Sequence, residues 1–297
     1  MTDATPTEES IAAVEASLDT DGARPAPKRR ARSLSLWNYP ATYTLLGINA
    51  LVYALMFRFG PVPTLLHQHA WSQVLTASFD QETLVRFGAT NSQAILAGQW
   101  WRLVTGTFVH ITLLHIALNM WCLWNLGLFG EPLLGRRGLV VVYLVTGTAG
   151  MLLSFAINAD VTVAGASGAV FGIAGILIVL LSNRGLAVPW NELRGLRRQV
   201  IFFAVANLAI GMAPGVLGMA SPEQIARLHL DPGMVPHIDN SAHIGGFAAG
   251  LALGLPLFPR MTAGRSAYRA RQRVTFTVAA LLLCLIAYAV AKAKSAS

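Results

Sequence analysis

Four polar residues stand in stretches otherwise fit for lipid: His115, Asn119, Ser167 and His243. A serine hydroxyl is a weak nucleophile until a base takes its proton, and histidine is the commonest such base. Ser167 lies in Gly165-Ala166-Ser167-Gly168, and His243 in Ala242-His243-Ile244-Gly245-Gly246. Attack by this serine on a peptide carbonyl creates an oxyanion, which needs donors already in place. His115 and Asn119 are four apart, hence on one helix face, and their side chains can donate. The Ser167 amide can also donate if Ser167 opens a helix, where backbone N–H groups are unpaired. The chemistry suggested is acyl transfer, with Ser167 as nucleophile and His243 as base, then acid.

Each part also has a plainer use. Gly-x-Ser-Gly packs helices, a membrane histidine pairs with a neighbour or lines a pathway, and His115 with Asn119 forms a polar clamp. Their conjunction is what argues for chemistry. A third triad member is hard to place: Asp239, four residues before His243, is a minor candidate, and Asp160 lies at the mouth of its stretch. A Ser–His dyad is favoured. His67-x-His69 is at most half of a metal site and has no nearby cysteine or carboxylate, so neither metal nor cofactor is expected.

The elements that must position these residues are legible in the composition. The chain has 297 residues, 54% of them hydrophobic and only 12% charged. The first 32 residues hold 11 of the 36 charges, and the mean hydropathy of the whole is +0.54. That excludes an ordinary soluble globule and predicts a polytopic membrane protein. Residues 1–32 read as a disordered tail closed by a basic anchor, Lys28 to Arg32, with no cleavable leader. The high pI does not point to nucleic acid, because the basic residues fall between apolar runs. Cys122 and Cys284 lie inside such runs and suggest no disulfide framework.

Seven charge-free stretches are long enough to span: 33–57, 103–130, 138–159, 161–183, 199–222, 240–259 and 274–291. Residues 59–102 form a long first loop, apolar enough to lie partly in the interface, and 260–273 a basic loop before the seventh span. Residues 292–297 are a short tail. A cytoplasmic N-terminus puts 16 of 22 basic residues on the inner side and the C-terminus outside. The second, fourth and sixth spans then run from outside inwards. Each candidate residue lies early in its span, so all four reach similar depth. Gly168 and Gly172, and Gly246, Gly250 and Gly254, are spaced by four, which lets helices approach closely.

Taken together these residues resemble the rhomboid family of intramembrane serine proteases. Trp101-Arg102 is similar to the family's Trp-Arg pair. His115-x-x-x-Asn119, Gly165-Ala166-Ser167-Gly168 and Ala242-His243-x-x-Gly246-x-x-x-Gly250 resemble its three further motifs, over roughly residues 40–260. The resemblance implies an all-α fold, with a six-helix core over 33–259 and a seventh C-terminal helix. It implies Ser167 and His243 as the catalytic pair, with His115, Asn119 and the Ser167 amide around the oxyanion. Trp101, Arg102 and Glu131 would be structural. The implied substrates are transmembrane proteins, cut near the outer ends of their helices and entering sideways from the bilayer near the second and fifth spans. Phe171 departs from the tyrosine common four residues after the nucleophile; it keeps the stacking surface for the catalytic histidine and loses the hydroxyl. The competing readings are an inactive rhomboid-like protein that holds membrane clients and a proton-using transporter. The presence of both Ser167 and His243 counts against the first, and the lack of intramembrane carboxylates against the second.

Overall fold

Lipid offers no partner to backbone N–H and C=O groups, so an apolar spanning segment must satisfy them within a helix. The computed structural model describes residues 36–60, 77–158, 162–186, 190–218 and 240–296. The N-terminal tail, His67, His69, Asp160 and Asp239 lie outside the described residues. In chain order the elements begin with α1 (Pro40–Phe59), α2 (Gln81–Arg86), β1 (Thr90–Asn91), α3 (Ser92–Leu96), α4 (Arg102–Thr105) and a 3₁₀ turn (Gly106–Phe108). There follow α5 (Leu113–Ile157), β2 (Thr162–Val163), α6 (Ser167–Leu180), α7 (Trp190–Gly218), α8 (Asn240–Leu257), a second 3₁₀ turn (Phe258–Arg260) and α9 (Arg265–Ala296).

Each predicted span has a helical counterpart, and several differ in extent: α1 starts at Pro40 instead of residue 33, and α7 at Trp190 instead of residue 199. The second and third spans join in α5, which breaks only at Gly135 (φ 75°, ψ 163°). Glycine adopts this positive φ without a Cβ penalty, and Pro132 just before it weakens the helix by lacking an N–H. The arms 113–134 and 136–157 are each about 33 Å long, enough for a hydrocarbon core of about 30 Å. The second span starts at Leu113 instead of residue 103. The Thr112 hydroxyl accepts the His115 N–H at 3.0 Å and caps the helix there, leaving 103–112 to the first loop.

The fourth span is shortest of all. Within predicted 161–183, α6 has 14 residues and a length of about 21 Å. It need not reach both faces, because it lies inside the bundle against α5, α7 and α8, and nearly all its residues are buried. A helix apolar all round belongs in such a place. Finally, α9 starts at Arg265, so most of the predicted basic loop 260–273 is helix. A charge-free window finds the lipid-immersed turns and misses charged turns that continue the same helix beyond them.

The glycine faces set the helix spacing around α6. A Cβ on Gly246 of α8 would stand 2.0 Å from the Gly168 carbonyl oxygen, and one on Gly250 2.0 Å from that of Gly172. Gly150 of α5 meets the Ala242 carbonyl oxygen in the same way, at 2.4 Å. Backbone therefore touches backbone where α5, α6 and α8 meet. At the other end of the bundle the Glu131 carboxylate caps α1. It accepts the Ala41 N–H (3.0 Å), the Thr42 N–H (2.8 Å) and the Thr42 hydroxyl (2.7 Å). It thereby satisfies first-turn amides at the positive end of the α1 dipole.

Candidate active site

The segment leading into α6 is held from three sides. The strand pair β1–β2, antiparallel with Thr90 opposite Val163 and Asn91 opposite Thr162, ties it to the first loop. The Gly165 N–H donates to the Gly106 carbonyl at 3.0 Å, and the Ala166 N–H to His110 Nε2 at 3.3 Å. His110 Nδ1 lies 3.3 Å from the Phe108 carbonyl, so the tautomer that donates there leaves Nε2 free to accept. His110 is fully buried. The sequence reading did not single it out. Its position five residues before His115, in an apolar segment, was the available signal.

Ser167 is the first residue of α6, with Ala166 as N-cap and no side-chain cap. The amides of this turn lack helical partners and form a ready donor set. Ser167 is half-buried, and so is His115. Gly165 has φ +136°, and a Cβ there would stand 2.7 Å from His115 Cε1, 2.9 Å from His115 Nε2 and 3.7 Å from Ser167 Oγ. The His115 ring and the Ser167 hydroxyl thus border the same few ångströms above Gly165, a space that a side chain would fill. Asn119 is buried one turn along α5, and its Nδ2 donates to the His115 carbonyl at 2.9 Å. One amide hydrogen is therefore used by the helix, and the second remains to be directed elsewhere.

His243 comes from α8, beside the Gly246–Gly168 contact. Its ring stacks on Phe171, one turn beyond Ser167, with centroids 4.7 Å apart and planes 20° off parallel. The imidazole is 9% exposed, and the stacked phenyl ring fixes its plane. The start of α8 is also tied to the end of α5, where Asn158 Nδ2 donates to Ser241 Oγ at 3.2 Å. Ser167, His115, Asn119 and His243 thus come together at one end of the bundle, with Gly165, Gly168, Phe171 and Gly246 shaping the space and Gly250 one turn deeper.

Trp101 and Arg102 lie in the first loop and not at this cluster. Arg102 is buried; its Nε donates to Gln99 Oε1 at 2.7 Å, and its guanidinium donates to the Val85 and Ala89 carbonyls. It also stacks on the half-exposed Trp101 ring, 4.5 Å from the centroid. The Thr90 hydroxyl donates to the Arg102 carbonyl at 2.9 Å, which links this loop to β1 and so to the α6 approach. The Tyr143 hydroxyl bonds the Thr107 carbonyl at 2.9 Å and anchors the first 3₁₀ turn to α5.

The fold and site define a multi-pass helical membrane protein carrying a serine and histidines near one end of its bundle. The Rhomboid domain profile matches residues 97–260, and the chain belongs to the rhomboid family. It is 38% identical over 184 residues to Rhomboid protease GluP of Bacillus subtilis (strain 168), covering 60% of this chain and 31% of that protein. It is 32% identical over 174 residues to RHOMBOID-like protein 1 of Arabidopsis thaliana, covering 58% of this chain and 38% of that one. With Rhomboid-like protease 2 of Toxoplasma gondii it shares 28% identity over 213 residues, 70% of this chain and 67% of the relative. The chain thus spans about a third of the length of the first two relatives.

Proposed function

We propose that the protein is a serine endopeptidase that cuts peptide bonds in or near the transmembrane segments of other membrane proteins. The observation that carries this reading is Ser167 at the open first turn of α6, with His243 stacked on Phe171 one turn beyond it. The similarity to Rhomboid protease GluP supports it. His243 takes the Ser167 proton as the hydroxyl oxygen attacks the scissile carbonyl. The tetrahedral oxyanion is met by the Ser167 amide, the His115 ring and the second Asn119 amide hydrogen. His243 then protonates the leaving amine, giving an acyl-enzyme on Ser167 that water hydrolyses by the reverse proton path. No cofactor enters these steps. The glycine contacts matter because a Ser–His hydrogen bond of about 2.6–3.2 Å requires helices this close.

The reading places the N-terminus in the cytoplasm and the C-terminus on the opposite side, with the site near the outer surface of the cell membrane. A serine-directed fluorophosphonate tests the chemistry without a known substrate. The detergent-solubilised protein should be labelled at Ser167, and Ser167→Ala should abolish labelling. His243→Ala should reduce it by about 10²–10⁴-fold. Folded wild-type protein that takes no label, and does not cleave a membrane-embedded reporter, would favour a client-binding role. Label persisting in Ser167→Ala would mean another nucleophile.

A further inference from the structure

At the end of the bundle away from Ser167, a cavity of about 1150 Å³ opens between the Gly135 break of α5 and the start of α9. Five arginines line it: Arg136 and Arg137 from α5, and Arg265, Arg269 and Arg273 from α9. The last three recur every four residues, so they share one helix face. Glu131 is the one acid among the lining residues, and its carboxylate already accepts the Ala41 and Thr42 amides and the Thr42 hydroxyl. The described lining is therefore strongly positive, with five guanidinium groups against one carboxylate.

The floor is polar and fixed. Gln272 is buried, and its Nε2 donates to the Leu134 carbonyl at 3.0 Å, which locks α9 against the break in α5. The Tyr268 hydroxyl is buried next to the Gln272 amide and has no hydrogen bond of standard geometry among the described residues. A tyrosine hydroxyl on the wall of a basic cavity can donate to an anion bound there. The rest of the wall is mostly apolar, with Val141, Met261 and Phe276 beside the polar Asn38 and Thr277. The lipid-exposed face of α9 begins at Val274, directly after Arg273. The cavity thus sits at the boundary between charged and hydrocarbon-facing surface.

We propose that this cavity binds the phosphate diester headgroup of an anionic membrane lipid, whose acyl chains run up the apolar face of α9. Arginine forks suit phosphate oxygens bidentately, and the Tyr268 hydroxyl is placed to donate to the same group. Basic clefts between helices on the cytoplasmic side are suited to anionic headgroups. The apolar wall selects a lipid over a soluble phosphate. A bound lipid would bridge the α5 break and α9, joining the seventh helix to the six-helix core.

Native mass spectrometry of the full chain in detergent tests this, with phosphatidylglycerol and phosphatidylcholine of identical acyl chains and with inorganic phosphate. Wild-type protein should retain phosphatidylglycerol in preference to phosphatidylcholine. Each arginine near an anionic surface is worth about fivefold in affinity, so Arg136→Gln/Arg269→Gln/Arg273→Gln should weaken retention about 100-fold. Arg194→Gln/Arg198→Gln/Arg271→Gln removes the same charge outside the cavity and should leave retention near wild type. The single change Arg269→Gln, at an exposed position, should cost about fivefold, and it serves if the triple variant fails to fold. Equal retention of the two lipids, or equal loss in both triple variants, would overturn the proposal. Displacement of the lipid by inorganic phosphate at equal concentration would assign the site to a soluble anion and overturn it too.

Discussion

Gly246→Ala adds one methyl group at the contact between α6 and α8. The new carbon would stand 2.0 Å from the Gly168 oxygen, 2.6 Å from its carbonyl carbon and 2.9 Å from its Cα. A relaxed C···O contact is about 3.3–3.6 Å, so the two helices must part by more than about 1 Å at this level. Both sides of the clash are backbone, and no flexible side chain can give way. Overpacking of this kind costs about 1–3 kcal/mol. Alanine's better helix propensity returns about 1 kcal/mol, leaving a net loss of about 0–2 kcal/mol. The effect on turnover should be larger in proportion, because Gly168 directly follows Ser167 and His243 is one turn from Gly246. A displacement of about 1 Å at reacting groups costs about 10²-fold. Thermal unfolding in detergent and cleavage of a membrane-embedded reporter measure the two effects. Gly195→Ala on α7 and Gly47→Ala on α1 are the controls, since a Cβ at either position meets no atom within 4 Å. Unchanged turnover and melting temperature in folded Gly246→Ala protein would refute the reasoning.

Glu131→Gln keeps the shape but removes the charge that accepts three hydrogen bonds at the start of α1. It should lower stability by about 1.5–3 kcal/mol, read as a drop in melting temperature; an unchanged value would show that the cap does not depend on its charge. Reporter fusions at Leu186 and Ser297 should report opposite sides of the membrane, and identical signals would overturn the seven-span topology.

Much of this protein was readable without its structure. Burial in lipid forces charge-free stretches of about 20 residues into helices, so the all-α fold and the approximate spans follow from composition. The cost of polar groups in lipid made His115, Asn119, Ser167 and His243 conspicuous, and four-residue glycine spacing marked the faces that meet. The ends of the helices were not readable in the same way. Where α5 begins depends on the Thr112 cap, and α6 can be 14 residues long only because neighbouring helices cover it. The partners of Glu131 lie about 90 positions away, and the Ala166 amide that His110 accepts lies 56 away. Such contacts leave no periodicity in the sequence. The same holds for the arginines: their placement between apolar runs spoke for orientation, but only the packing of α9 on the Gly135 break gathers five of them around one cavity. Sequence determined which residues lipid would not tolerate without a reason, because that cost is local to each residue. Tertiary structure decided which of them touch, because a contact is a property of two distant segments at once.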